Sequence, residues 1–205
     1  NLTDSRIKAL PIKIDSIYKS ALYSRTLMLN CLNDLYKDIW EDNWSLTFAK
    51  ERWSKKDIRL NDFLNTEGTW IQKKMLLNSF ERRQALVEID VITAIALGLK
   101  LEHLIKMYNF QFPVLQQNED DTWYDTTGNI VFTCSKGLTG VGLDRPVWNT
   151  IKDLKAGEIY EHTIEKSELY RGKVVTYQAP FDKCDRVEDY KTAWAHFEEV
   201  FKEEE

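Results

Sequence analysis

Apolar residues recur with a helical period through most of the first half of the chain. Between residues 15 and 44 they follow one another at steps of three and four, which predicts a long amphipathic helix. Residues 80–97 are apolar on nearly every side, which is typical of a buried helix. Gly98 predicts the end of that helix, because glycine takes a positive φ without steric cost. A second helix follows and Pro113 closes the pair. Its apolar face is formed by Leu101, Leu104, Ile105 and Tyr108.

The second half of the chain shows strand patterns and ends in a helix. Aromatic and β-branched runs on either side of residues 125–129 predict a β-hairpin, and residues 158–164 and 173–178 predict two further strands. Asp185 and Glu188 form a capping box for a final helix. Its apolar face is aromatic and consists of Tyr190, Trp194, Phe197 and Phe201.

These patterns together predict an α+β fold. Residues 1–112 form a helical part with a buried central helix. Residues 113–205 form an α+β part, with a small antiparallel sheet and a C-terminal amphipathic helix. We expect the two parts to pack as one compact unit. The hydrophobic fraction of 43% over 205 residues is sufficient for a sizeable core.

The net charge of −5 argues against a free-standing nucleic-acid binder, which usually carries a basic stripe. It is compatible with a module that lies beside DNA while another part of a longer chain supplies the charge. Because the chain begins at Asn1 rather than at a methionine, we expect it to be a fragment of a longer protein.

The three cysteines, Cys31, Cys134 and Cys184, are far apart, and no CxxC motif or histidine at metal-ligand spacing accompanies them. We therefore predict reduced thiols and no metal site. The sequence shows no signal peptide and no apolar run of membrane-spanning length. We expect a cytoplasmic protein with no membrane partner.

The most basic stretch is residues 43–69, where Lys55, Lys56 and Arg59 alternate with aromatic residues such as Trp53. Such a composition can contact a nucleic-acid backbone and stack on bases. The alternative, which we favour, is an irregular connector whose aromatic side chains dock on the core while the lysines stay in water.

A glycine-rich loop at residues 136–142 precedes a short predicted helix that begins near Arg145. With Lys136 and Arg145 close by, the loop could cradle a phosphate. However, its GxxGxG order differs from the dinucleotide fingerprint and no GK[ST] follows, so we favour an ordinary turn. The candidate DNA contacts of the chain are Lys55, Lys56, Arg59, Lys136 and Arg145.

Carboxylates cluster around the first predicted strand, at Glu119, Asp120, Asp121 and Asp125. Four carboxylates can hold a divalent cation, but their spacing matches no known loop, so we favour a solvated cluster. Two more carboxylates, Glu88 and Asp90, interrupt the apolar central helix and lie about 200° apart around it.

Glu88 and Asp90 therefore cannot share one substrate proton. Because an unpaired buried charge is costly, we favour structural ion pairs over catalysis, with Arg82 and Arg83 as the nearest partners in sequence.

Other catalytic signatures are absent or weak. Asp153-Leu-Lys155, with Asp144 upstream, matches a metal-dependent nuclease only formally, and it lies at a predicted helix end rather than on a core strand. No GxSxG motif occurs, and His103 lies in a predicted helix, where packing or capping is the usual role. We predict no catalytic or cofactor-binding residue in this segment.

Several stretches together carry a family likeness. They are ERRQALVEIDV at 81–91, ALGL at 96–99, LEHL at 101–104, QFPV at 111–114, TWYD at 122–125, GNIVFT at 128–133, SKGL at 135–138, GVGL at 140–143, APFDKCD at 179–185 and YKTAW at 190–194. They resemble the region C-terminal to the catalytic domain in large bacterial DNA adenine methyltransferases of type IIG-like restriction–modification and phage-defence systems. The likeness covers about residues 53–197.

The resemblance implies a parent polypeptide that methylates adenine with S-adenosylmethionine. The Asn/Asp-Pro-Pro-Tyr/Phe motif and the cofactor's glycine loop of those enzymes are missing from this sequence. We therefore expect a non-catalytic accessory region that packs on the rest of the methyltransferase chain and helps to position DNA through phosphate contacts. The alternative is an interaction module that couples the methylase to a partner subunit without touching DNA. A nuclease is the third reading.

Overall fold

The computed structural model describes residues 16–30, 51–60, 78–134 and 142–203. Within them the helices are α1 (Ser16–Asn30), α2 (Ser79–Ala96), α3 (Leu101–Gln111), α4 (Pro113–Asp120), α5 (Arg145–Ile151) and α6 (Arg186–Glu203). The strands are β1 (Trp123–Tyr124), β2 (Ile130–Phe132), β3 (Ile159–Thr163) and β4 (Val174–Gln178). These elements confirm the predicted α+β class. The helix predicted over residues 15–44 is present as α1, and residues 31–44 lie outside the described part of the chain.

Helix α2 is the centre of the larger core. Its side chains Val87, Val91 and Ile92 are fully buried, and it packs against both α1 and α6. Burying one such side chain contributes about 1.5–3 kcal/mol, so α2 carries a large share of the stability of this core. The prediction of a helix buried on all sides is wrong at Leu86, which is 48% exposed. Several charged residues of α2 are buried, although Leu86 is exposed.

Both ends of α2 follow from local chemistry. Asn78 caps the start, because its Oδ1 accepts a hydrogen bond from the backbone N–H of Glu81 at 2.8 Å. Gly98 has a φ of 68° and donates its N–H to the carbonyl of Ile95 at 2.8 Å. The predicted end of the helix is thus confirmed.

Pro113 begins a helix instead of closing one. It occupies the first turn of α4, where its missing N–H is tolerated and its fixed φ suits the helix. The side chain of Gln116 donates to the carbonyls of Tyr108 and Asn109 at 2.9 and 3.1 Å, which satisfies the end of α3. The expectation that Pro113 ends this helical unit is therefore wrong.

The strands form two separate antiparallel pairs. The β1–β2 hairpin turns through Gly128, whose φ is 85°, and β3 pairs with β4 from Ile159 opposite Gln178 to Thr163 opposite Val174. A second, smaller core lies beneath them, where the rings of Phe132 and Trp148 stack with centroids 5.6 Å apart. The predicted hairpin and the two further strands are confirmed.

Helix α6 buries the predicted aromatic face against other helices. The ring of Phe201 meets Tyr18 of α1 edge-on with centroids 4.7 Å apart. Asp185 caps the helix by accepting from the N–H groups of Val187 and Glu188. The carboxylate of Glu188 pairs with Lys191. No helix in the described part of the chain is long and apolar enough to cross a membrane.

Candidate functional site

A chain of ion pairs crosses the larger core. It joins the irregular segment 51–60, which we call the basic segment, to helices α2, α4 and α6. Its members, in order, are Lys55, Asp189, Arg83, Glu119, Arg186 and Asp90. Asp189 accepts from Lys55 Nζ at 2.7 Å and from Arg83 Nη1 at 2.5 Å. Cations and anions alternate, so the chain of six is neutral overall.

Glu119 is held as a structural anion. Its carboxylate accepts four hydrogen bonds, one from Arg83, two from Arg186 and one from the hydroxyl of Tyr108. Burial alone would raise the pKa of Glu119, but the bonds from Arg186 and the charge of Arg83 keep it below its ordinary value. Because a carboxylate offers about four lone-pair sites, none is left to accept a substrate proton.

Asp90 shows the opposite pKa shift. Burial raises the pKa of its carboxyl, and the hydrogen bond from Tyr190 and the charge of Arg186 offset only part of that effect. Arg186 Nη1 and the hydroxyl of Tyr190 lie 3.1 and 2.7 Å from Asp90 Oδ2. Both donors belong to α6, so this contact fastens α6 to α2.

A second network lies between α1 and α2. Arg25 and Glu88 both have fully buried side chains, and Arg25 Nε lies 2.8 Å from Glu88 Oε2. Arg25 also pairs with Glu51 and donates to the carbonyl of Arg52 at 2.5 Å. The backbone N–H and the hydroxyl of Ser54 donate to Glu88 Oε1 at 2.8 and 2.7 Å. This buried pair thus fixes the first half of the basic segment.

The predicted ion pairs of Glu88 and Asp90 are confirmed, but their predicted partners are wrong. Glu88 pairs with Arg25 and Asp90 with Arg186. Arg82 instead donates to the carbonyl of Leu29 at 3.3 Å, and Arg83 binds the carboxylates of α4 and α6. The true partners lie 63 and 96 residues away in sequence, and no local pattern connects them.

The predicted solvated acidic cluster is divided by the fold. Glu119 is in the ion-pair chain, and Asp125 is fully buried, where it accepts from the backbone N–H groups of Thr127 and Asn129 at 3.0 and 2.8 Å. Such bonds define a turn around a short acidic side chain. The prediction that the cluster is solvated is therefore wrong for these two carboxylates. The described residues contain no group of three or more side chains that could hold a metal ion.

The structure places the candidate DNA contacts in different settings. Lys55 is paired with Asp189, and Arg59 is paired with Asp57 and Asp182 while its guanidinium lies 3.7 Å from the centroid of the Phe80 ring. Both of these cations are paired, whereas Lys56 is exposed.

Arg145, at the start of α5, is exposed and pairs with Asp121 at 2.7 Å. It also lies over the ring of Phe132, with 4.7 Å between the guanidinium carbon and the ring centroid. Lys136 falls outside the described residues. Arg145 belongs to the smaller core and Lys56 to the basic segment, so the predicted contacts come from two separate parts of the fold.

A cleft of about 670 Å³ opens beside the basic segment. Its walls are formed by Arg52, Trp53, Ser54, Lys55, Lys56, Asp57, Ile58, Leu60 and His196. Asp57 is the acidic residue among these, and its carboxylate is bound by Arg59. Burial would raise the pKa of Asp57, but the bond from Arg59 keeps it below its usual value. The lining of the cleft thus includes both basic and apolar side chains.

An exposed apolar surface lies where α3 meets α4. We call it the apolar corner, and it consists of Met107, Phe110, Phe112 and Val114. Phe110 is 83% exposed and Val114 is 68% exposed. We did not predict this surface from the sequence. Its signal was available, because Phe110 falls off the helical face defined by Leu104 and Tyr108, both of which are buried.

The remaining catalytic candidates have ordinary surroundings. Asp153 and Lys155 are exposed in the turns after α5, and Asp144 pairs with Lys166. His103 Nδ1 accepts from the backbone N–H of Lys100 at 3.3 Å, so this histidine caps its helix as expected.

Comparison with known proteins leaves the family open. No protein-family model, no curated protein and no solved structure matches this chain. The functional conclusion therefore rests on the site geometry and on the resemblance of the sequence stretches, and it is a proposal.

Proposed function

We propose that this chain is a non-catalytic accessory region of a DNA adenine methyltransferase, and that it docks on the rest of the methyltransferase polypeptide. The observation that carries the proposal is the apolar corner. Phe112 and Val114 belong to the QFPV stretch that resembles the family, yet both are exposed. Packing among the described residues does not cover them, whereas docking on another surface does.

The composition of the corner suits an interface. Phenylalanine and methionine are enriched at the centres of protein–protein contacts, and charged residues are depleted there. The corner supplies two phenylalanines, one methionine and one valine within eight residues, and polar exposed residues such as Lys106 and Gln117 adjoin it. Covering this apolar surface favours a complex through the hydrophobic effect, and the loss of freedom on association offsets part of that gain.

The ion pairs of the carboxylates support a structural role. Glu88, Asp90 and Glu119, which were weighed above as candidates for chemistry, each accept from an arginine. In this proposal the adenine pocket and S-adenosylmethionine belong to the rest of the polypeptide. The ion-pair chain keeps the helices in register so that α3 and α4 present the corner in a fixed shape.

An association experiment tests docking. The 205-residue chain is mixed with the remainder of its polypeptide, supplied as a separate chain, and complex formation is followed by sedimentation. We expect the double variant Phe110→Ser, Val114→Ser to weaken association at least tenfold. The matched control is Leu169→Ser, Val174→Ser, which removes exposed apolar residues of the second part and leaves association unchanged. Equal affinity of both double variants would refute docking through the corner. Association with a separate subunit alone would favour the coupling module.

DNA positioning is the second candidate, and the exposure of Lys56 and Arg145 favours it. Lys56 has no ion-pair partner in the described part of the chain, and Arg145 pairs only with the half-exposed Asp121 there. Phosphate contacts of this kind position a duplex without reading its bases. The double variant Lys56→Ala, Arg145→Ala in the intact polypeptide is expected to reduce both duplex affinity and its dependence on salt between 50 and 200 mM. An unchanged salt dependence would exclude this role.

A further inference from the structure

The basic segment is irregular, yet it is fixed at both ends. Its residues form no helix or strand. Arg25 and Glu88 hold it from below at residues 51–54. At the other end Arg59 is bound to Asp57 and Asp182, and its carbonyl accepts from the side chain of Asn78 at 2.9 Å. The segment is therefore a preformed surface.

The basic segment is held in place by a buried ion pair. Arg25 and Glu88 are fully buried ions, and a hydrophobic pair of similar volume is often equally or more stabilising. Their hydrogen bonds go to the basic segment, through the carbonyl of Arg52 and the N–H and hydroxyl of Ser54. The buried charges thus fix the conformation of a surface loop, which is the arrangement expected under a binding site.

The cleft beside the basic segment is lined by basic and by apolar side chains. Arg52 and Lys56 are exposed basic side chains, and Trp53, Ile58 and Leu60 supply apolar surface. Ile58 is 88% exposed. Lys55 and Asp57 of the lining are paired with Asp189 and Arg59, so the exposed charges of the described lining are those of Arg52 and Lys56, which attract anions.

From these contacts we propose that the cleft binds a ligand the size of a nucleotide through its phosphate and its flat apolar part. The volume of about 670 Å³ lies within the range of about 300–1,000 Å³ for small-molecule sites. Lys56 contacts the phosphate, and Ile58 packs against the base. The same chemistry is presented by a free nucleotide and by the 5′-phosphorylated end of a single strand. The site is separate from the apolar corner, so it stands whether or not the chain docks there.

Calorimetric titration of the full chain tests the site with three probes: adenosine 5′-monophosphate, inorganic pyrophosphate and adenosine. We expect saturable binding of the monophosphate, weaker binding of pyrophosphate and none of adenosine at matched concentration. Lys56→Glu weakens monophosphate binding at least about tenfold, because a charge-assisted hydrogen bond is replaced by repulsion. The matched control, Lys106→Glu on α3, makes the same charge change and leaves affinity within twofold.

Ile58→Ser separates the two halves of the site. The side chain is exposed, so the variant folds as the parent does. We expect it to weaken binding of the monophosphate and to leave the affinity for pyrophosphate unchanged. A 5′-phosphorylated hexanucleotide and its unphosphorylated form then identify the source of the ligand, since a strand end binds more tightly than the free monophosphate and only when phosphorylated. Absence of saturable binding, equal effects of the two lysine variants, or pyrophosphate binding as tight as the monophosphate would overturn the proposal.

Discussion

Arg25 and Glu88 show at the scale of single residues how this chain uses charge. Each is fully buried, and each has partners from a different part of the chain. Breaking such a pair from one side leaves an uncompensated buried charge, which costs more than the pair contributes when intact. The pair is therefore sensitive to loss of either member.

We expect Glu88→Gln to lower the free energy of unfolding by about 3 kcal/mol. This is the lower end for a broken buried pair, because Arg25 keeps Glu51 as a partner. Urea denaturation measures the change. The control is Lys191→Met, which removes an exposed pair with Glu188 and leaves the free energy of unfolding unchanged. A similar, small effect of both substitutions would contradict a buried structural pair.

His196 makes stability depend on pH. Burial lowers the pKa of its imidazole in the folded chain, and the nearby charge of Arg25 adds to this against the opposing charge of Glu88. The unfolded chain, with a histidine pKa of about 6.5, therefore takes up the proton first as pH falls. The contribution of His196 to the free energy of unfolding is fully present above pH 6.5. It is lost as the pH falls from there toward the folded-state pKa.

The measurement is urea denaturation at pH 7.5 and at pH 5.5 for the wild type and His196→Gln. The wild type is expected to lose more stability than the variant on acidification, because glutamine has no proton to take up. His162→Gln, on strand β3, serves as the matched control and is expected to keep the wild-type dependence. Equal losses in all three proteins would show that His196 does not contribute.

At the scale of the elements, Gly128 has the closest contact to an added Cβ among the glycines in the described part of the chain. Its φ is 85°, and an added Cβ would lie 2.5 Å from the side chain of Asn78, the residue that caps α2. Its carbonyl also accepts from the N–H of Phe80 at 3.0 Å. The β1–β2 hairpin and the start of α2 are therefore built as one unit.

Gly128→Ala is expected to destabilise the protein by more than about 2 kcal/mol, since positive φ and loss of a helix cap each cost about 1 kcal/mol. The control is Gly172→Ala, where φ is 84° but no atom lies within 4 Å of the added Cβ. Thermal or urea unfolding compares the two. Equal destabilisation would mean that contact with Asn78 contributes nothing.

Local signals were enough to predict most elements of the fold. The end of α2 was predicted from Gly98, the start of α6 from Asp185 and the β1–β2 hairpin from its loop. Each of these features depends on residues that are close in sequence. The prediction that Pro113 ends a helical unit was wrong because proline is favourable both in the first turn of a helix and just after its last turn. The partners of Glu88 could not be predicted, because Arg25 lies 63 residues away.

The candidate site was less predictable than the fold. The basic stretch was predicted over residues 43–69, of which the structure describes 51–60, and sequence alone could not show that Lys55 and Arg59 pair with Asp189 and Asp182. Those pairs form only when residues 182–189 pack against the basic segment, which no local sequence pattern predicts. Lys56 is the cation of the three that remains exposed.

At the scale of the whole molecule, the described parts form two cores with different roles. The larger core is crossed by the ion-pair chain and carries both the apolar corner and the basic cleft. The smaller core supports the hairpins and Arg145. In our account the larger core is the functional part, because docking and ligand binding both use its surface.

The most direct test of docking is methyl transfer by the intact polypeptide, measured as incorporation of labelled methyl groups from S-adenosylmethionine into adenine in DNA. We predict that the wild type methylates adenine. The double variant Phe110→Ser, Val114→Ser should retain less than a tenth of that rate. The same substitutions in the separate 205-residue chain should leave its unfolding midpoint unchanged, because both side chains are exposed there. Full activity of the variant, or absence of adenine methylation by the wild type, would contradict the account.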